Sequence, residues 1–190
     1  MEGCGQAGTV VRKANKEAPL VSEGVHLNIG CGAVLWHGFT NIDFQGNWSG
    51  RKPDIECDIR SIPLPSGEAD SAYAIHVLEH FHRWETENVL KEWTRLLKHG
   101  GKLVIEVPCL DKVIRAFVHF MNNKKEINPQ ATMWRLYGDP KYKDETMVHK
   151  WCFSTQELVE LMESIGLKDV TASDPEYHHP QVDMRVTGTK

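Results

Sequence analysis

Four residues in the first third of the chain have types and spacing suited to holding a nucleotide-like ligand. Gly30 and Gly32 flank Cys31 directly after the apolar run Val25-His26-Leu27-Asn28-Ile29. Glycine lets the backbone turn sharply and approach a ligand with no Cβ in the way. Alone, a Gly-x-Gly pair is equally a tight turn. Asp43 closes the next apolar run and Asp58 lies at the end of the third. A carboxylate at Asp43 can accept hydrogen bonds from both hydroxyls of a ribose, as an acidic residue does in dinucleotide folds, or it can form an Asx turn. One at Asp58 can receive the amino group of an adenine. Three features at three successive run ends point together to a cofactor pocket. Leu35 stands where a Gly-x-Gly-x-x-Gly fingerprint needs its last glycine, which argues against a dinucleotide.

A second constellation follows. His76, Glu79 and His80 match the His-x-x-Glu-His pattern of inverted zincin metallopeptidases, in which two histidines on one helical face bind zinc and the glutamate activates water. Eight of the ten histidines lie outside it as sources of a third ligand. The pattern, however, comes straight after a strand run, Ala72 to Ile75, and not within a long helix. Nor does a strand-end Gly-x-Gly belong to such a peptidase. No metal is therefore expected, and a zinc-dependent hydrolase working through His76, Glu79 and His80 is the weaker alternative.

These residues need elements to position them. Val25–Ile29, Phe39–Phe44, Asp54–Ile59, Ser71–His76 and Lys102–Val107 read as five strands. Between the fourth and fifth, Val89, Leu90, Trp93, Leu96 and Leu97 recur at helical spacing, with Gly100-Gly101 as the stop. Asp111 can cap a helix whose apolar face is Val113, Ile114, Phe117, Val118 and Met121. Ser154 and Glu157 form a capping box before the stripe Leu158, Leu161, Met162 and Ile165, which Gly166 ends. Asp169–Ser173 and Val182–Val186 read as two last strands.

Strands alternating with helices imply an α/β fold: a doubly wound, mostly parallel, Rossmann-like sheet whose last strand is antiparallel. Residues 1–23 form a frayed or weakly helical tail, and 24–190 a single domain. The links between the first strands are too short for the usual helical crossover. One face of the first half of the sheet is thus expected to be thinly covered, with the tail or a second subunit of a homodimer to cover it.

Composition bounds the function. At 190 residues, 41% hydrophobic and 25% charged, the chain can build one core. A formal net charge of −4 gives no field for nucleic acid. The basic pairs Lys124-Lys125 and Lys141/Lys143 read as solvated loops, which disfavours a nucleic-acid substrate. No apolar run approaches the ~20 residues that span a bilayer, and the N-terminus lacks a signal-peptide layout. Five scattered cysteines, odd in number, suit free thiols in a reducing compartment. The expected location is cytoplasmic, with no membrane association.

The ordered stretches Leu27-Asn28-Ile29-Gly30-Cys31-Gly32, Asn41-Ile42-Asp43 and Asp58 to Pro65 resemble successive motifs of class I S-adenosylmethionine-dependent methyltransferases. Ala69 to His80, Glu92 to Leu103 and His149 to Gly166 extend the likeness from about residue 25 to 190. It is closest to a subgroup of small methyltransferases with a shortened link after the glycine turn. Asn28 replaces the family's usual acidic residue, and Val34 its third glycine.

The resemblance implies S-adenosylmethionine as cofactor. Asn28, Gly30, Cys31 and Gly32 would lie along its methionine part, and Asp43 on the ribose. Asp58 and the backbone of Ile59 would frame the adenine, and His76 would face the sulfonium. It further implies that His149 to Phe153 and the final strands wall an acceptor pocket, and residues 111–150 read as a substrate-covering insertion. Methyl transfer is mostly in-line positioning, and a histidine serves as base where the acceptor is a hydroxyl or a protonated amine; His76 and His149 are the catalytic candidates. Trp36 and Trp151 either stack on the cofactor or pack; Trp93, on the helix stripe, is expected in the core. The function expected is methyl transfer to a small-molecule or sugar-containing acceptor. A non-catalytic S-adenosylmethionine-binding protein is the alternative.

Overall fold

Along the first strand His26 and Asn28 alternate with Leu27 and Ile29, and all four are buried. A strand buried on both faces belongs in the middle of a sheet covered on both sides. The computed structural model describes residues 17–44, 50–123 and 126–190 and places β1 (His26–Ile29) there. β2 (Thr40–Asp43), β3 (Ile55–Glu56), β4 (Ala69–Ile75), β5 (Leu97–Pro108), β6 (Lys168–Ser173) and β7 (Asp183–Thr189) complete a seven-stranded sheet of order β3-β2-β1-β4-β5-β7-β6. β1 to β5 run parallel, and β7 is antiparallel to both β5 and β6. Chain order reverses between β1 and β4, the switch point beyond which such sheets bind ligands.

One face carries α1 (Arg83–Leu96) and α4 (Thr155–Ser164). Their stripes, Val89, Leu90, Trp93 and Leu96, and Leu158, Leu161 and Met162, pack with Leu27, Ile29, Leu103 and Ile105 into the main core. Ser154 caps α4 by accepting a hydrogen bond from Glu157 N (3.1 Å). The opposite face, expected to lack cover, is closed by the chain itself. Trp36 and Phe39 from the link after β1 meet Tyr177 from the link before β7, with Ala18, Tyr73 and Ile75 against them. Trp36 stacks edge-on to Phe39 and Tyr73 at 5.1 and 5.7 Å. The reason for expecting a second subunit there is thereby removed. Trp36 packs, and Trp93 is wholly buried.

Three expectations change. Gly100 and Gly101 do not stop α1; they lie inside β5. α1 ends at Leu96, and Leu97 is already extended. Leu97 pairs with Ala69 but Lys102 pairs with Ser71, so residues 98–101 form a bulge, turned by Gly100 at φ +78°. Asp111 does not cap α2 (Leu110–Asn122), whose N-cap is Cys109; its carboxylate instead accepts from Thr155 N at the start of α4 (2.9 Å). Of the apolar face of α2 only Val113 is buried, while Ile114, Val118 and Met121 are exposed.

Residues 17–23 contain neither helix nor strand, while the rest of the expected tail, 1–16 with Val10-Val11, lies outside the described residues, as do Cys4 and Lys124-Lys125. Cys31, Cys57, Cys109 and Cys152 are free thiols. Among the described residues no helix is long and apolar enough to cross a membrane.

Candidate active site

The carboxyl ends of β1, β2, β3 and β4 open onto a cavity of about 610 Å³. Gly30 and Gly32 form one wall, Asp43 and Phe44 the next, and Glu56 to Arg60 a third. His76, Val77, His80 and Phe81 come from the end of β4, and Thr146, Met147 and Lys150 from the segment before α4. The glycine turn is built for close approach: Gly30 and Gly32 have φ of +66° and +50°. A Cβ at Gly30 would stand 2.6 Å from a Val77 methyl.

Asp43 is buried at the tip of β2, where its carboxylate accepts Gly32 N (2.6 Å) and Phe44 N (2.8 Å). Burial raises its pKa against these two bonds. The Asp43 carboxylate thus ties the glycine turn to β2 while lining the cavity. Asp58 also lines the cavity, but Arg60 grips its carboxylate through Nε and Nη2 (3.0 and 2.7 Å), and that hydrogen bonding lowers its pKa. Ile59 lines it too, and its carbonyl accepts Trp93 Nε1 of α1 (2.9 Å). Asn28 and Cys31 are not on the lining. The Asn28 amide donates to Val34 O (2.8 Å) and Asn41 Oδ1 (2.9 Å), bracing the far side of the glycine turn. Burial pushes the Cys31 thiol up to about 12, so it is an inert thiol.

His76, at the end of β4, takes φ +55°. It sits between two wholly buried carboxylates, with Nδ1 3.0 Å from Glu79 Oε1 and Nε2 3.7 Å from Asp183 Oδ1. Burial alone would lower its pKa, but Glu79 and Asp183 outweigh it and raise the value to about 9. A base titrating near neutrality was expected; the two carboxylates favour the protonated form of His76 instead. His178 stacks on it, ring centroids 3.8 Å apart, and burial with the His76 charge lowers His178 to about 3. His149 reaches the same cluster because Lys150 N and Trp151 N donate to Glu79 O (2.8 and 3.2 Å). Its Nε2 stands 3.9 Å from Glu79 Oε1, and burial lowers its pKa. The structure therefore gathers both predicted histidines about Glu79. Trp151 lies apart, donating to Glu157 (3.1 Å).

Residues 27–105 match the family model described as a methyltransferase domain. Over those residues the chain is similar to a methyltransferase domain, and its fold is shared with S-adenosylmethionine-dependent methyltransferases. The tRNA (carboxymethyluridine(34)-5-O)-methyltransferase ALKBH8 of Macaca fascicularis is 26% identical over 134 residues; the match covers 66% of this chain and 17% of that protein. An S-adenosylmethionine-dependent methyltransferase of Thermotoga maritima, described as a possible histamine N-methyltransferase, shares the fold at TM-score 0.58 and 20% identity, covering 90% of this chain and 84% of that one. One from Archaeoglobus fulgidus does so at 0.60 and 16%, covering 88% and 86%. The human N-acetylserotonin methyltransferase in complex with S-adenosylmethionine does so at 0.58 and 17%, covering 88% and 47%.

The cavity suits that cofactor: a turn stripped of Cβ atoms, a buried carboxylate beside it, and an acidic wall beyond. The inverted-zincin geometry is not formed, since His76 is at a strand end and Leu78–His80 is a single 3-10 turn. Four residues of the site were not foreseen. Asp183, Arg135 and His178 complete the cluster around His76, and Glu106 anchors it. Glu106, wholly buried, accepts Glu176 N (2.7 Å), Tyr177 N (3.1 Å) and Arg185 Nε (2.9 Å). The available signal was a lone carboxylate inside the apolar run of β5, since a buried charge needs partners.

Proposed function

We propose that the chain transfers the methyl group of S-adenosylmethionine to a nucleophilic atom of a small-molecule or sugar-containing acceptor. The observation that carries this reading is the continuity of two regions in one cavity. A cofactor cradle of Gly30, Gly32 and Asp43 adjoins a polar end built around His76 and Glu79. The cofactor supplies a methyl group on a sulfonium, already a good leaving group. Asp43 holds the ribose, the Gly30-Cys31-Gly32 backbone passes under the methionine part, and Asp58 with the Ile59 backbone frames the adenine. Asn28 acts at one remove by bracing the turn. His76 and His149 orient the acceptor, which enters against Thr146, Met147 and Lys150. That wall belongs to residues 111–150, the substrate-covering segment of this reading.

The net charge of −4 favours a small acceptor over a polynucleotide, although the relative from Macaca fascicularis is named for a tRNA substrate. The two are separated by incubating the protein and methyl-labelled S-adenosylmethionine with a cell extract split into small molecules and RNA. Label is expected in the small-molecule fraction. Label in RNA alone would overturn the acceptor class, and none in either fraction would favour the non-catalytic binding protein.

A further inference from the structure

One carboxylate in the site is only partly paired. Glu79 is wholly buried in the 3-10 turn after β4, and neither of its oxygens accepts a well-aligned hydrogen bond. His76 Nδ1 approaches Oε1 at 3.0 Å without that alignment, and Oε2 has none. Oε1 relies on the His76 ion pair and Oε2 has no partner, so a further cation beside this buried carboxylate would be stabilised. Something must be aimed at it.

Two imidazoles are. His149 Nδ1 lies 2.9 Å from Arg135 O and His80 Nδ1 3.2 Å from Val148 O. A carbonyl oxygen can only accept, so each Nδ1 carries the hydrogen, and in the neutral ring Nε2 keeps its lone pair free for a metal. The His149 Nε2 lone pair then faces the Glu79 carboxylate across 3.9 Å, an arrangement that a cation between them would relieve. One ligand atom from each of Glu79, His80 and His149 lies within 4.8 Å of the other two. Ligand atoms on a tetrahedral ion with bonds of about 2.0–2.1 Å stand about 3.4 Å apart, so side-chain shifts of about 1 Å would close the set. An imidazole that ligates a metal commonly donates its other N–H to a carbonyl, and both do so here.

We propose that Glu79, His80 and His149 bind a divalent transition-metal ion at the acceptor end of the cavity. Two nitrogens and one carboxylate suit Zn²⁺, Co²⁺ and Fe²⁺ better than Mg²⁺ or Ca²⁺. Three protein ligands, with His80 on the cavity wall, leave a coordination position open toward the cavity. There an ion would hold an acceptor oxygen or nitrogen and lower its pKa. This differs from the His76-x-x-Glu79-His80 pattern read from sequence, because His76 is outside the ligand set and Glu79 is inside it. It also deepens the methyl-transfer reading, on which its role, though not its existence, rests.

The test is a titration of the metal-free full chain with Co²⁺ in the absence of cofactor, followed by visible absorption and by metal content after desalting. One ion per chain is expected, with ligand-field bands. His80→Ala and Glu79→Gln should each weaken binding at least about ten-fold, while the exposed His37→Ala leaves it unchanged. His80 is only half buried, so His80→Ala keeps the test valid should Glu79→Gln unfold. Less than a fifth of an ion per wild-type chain, or His80→Ala binding as tightly as wild type, would overturn the site. Because the titration needs no S-adenosylmethionine, a failed cofactor reading leaves this result standing, and the converse holds.

Discussion

His76 is the residue on which most of the site converges. Its left-handed backbone, φ +55°, turns the side chain between Glu79 and Asp183, two carboxylates that are 0% exposed. Among the described residues the imidazolium is the one cation within 4 Å of both: Arg135 Nε stands closer to Asp183, at 3.3 Å, but pairs with Asp183 alone. Asparagine tolerates the left-handed conformation, so His76→Asn removes the charge, and the ring that stacks on His178, without adding backbone strain. Leaving buried carboxylates short of a cation typically costs 3–5 kcal/mol, and urea denaturation of His76→Asn is expected to show a loss of about 3 kcal/mol. At the other end of the cavity, Gly30→Ala forces an L-residue into φ +66° and a methyl against Val77. About 1–2 kcal/mol of strain is expected in its unfolding curve, together with a loss of S-adenosylmethionine binding.

At the scale of elements, α1 does more than cover the sheet. From it Trp93 donates to Ile59 O (2.9 Å), Glu92 accepts Ile62 N (2.8 Å), and Arg95 donates to Ile62 O and Leu64 O (3.0 and 2.9 Å). The irregular segment after β3, which has almost no strand of its own, is thus held by one helix. Trp93→Phe removes the donor to Ile59 O and leaves space in the core. A loss of about 2–3 kcal/mol is expected, with weaker S-adenosylmethionine affinity by calorimetry. The link between β6 and β7 depends likewise on Glu106. Glu106→Gln should cost about 3 kcal/mol by uncoupling Arg185 and speed amide exchange at Glu176 and Tyr177, loosening His178 from His76.

The elements that form the proposed cofactor side of the cavity were legible because they are local: an apolar run ending in Gly30-Cys31-Gly32, another ending at Asp43. Their order along the chain carried the resemblance to class I S-adenosylmethionine-dependent methyltransferases. The polar cluster was not legible, because its members come from the end of β4, the short helix α3 (Met133–Tyr137), the stretch before α4, the link before β7 and the first residue of β7. Arg135 and Asp183 are 48 positions apart and meet only through tertiary packing. The cover over the first half of the sheet escaped for the same reason, since Trp36 and Phe39 need Tyr177. Gly100-Gly101 misled because two glycines can either end a helix or turn a bulge, and local sequence does not distinguish them.

At the scale of the molecule, a seven-stranded sheet brings a glycine turn, a buried aspartate and a cluster of histidines to one open edge. The core under α1 and α4 keeps that edge fixed, and the link before β7 closes the far side. The central claim is that this edge holds S-adenosylmethionine. It is tested most directly by calorimetric titration of the full chain with S-adenosylmethionine and with its demethylated product, alongside Asp43→Asn. One site per chain is expected for each ligand, weakened about ten-fold by the substitution, the effect of about 1.4 kcal/mol from one lost charge-assisted hydrogen bond. No heat from either ligand at millimolar concentration, or equal affinity in Asp43→Asn, would contradict it.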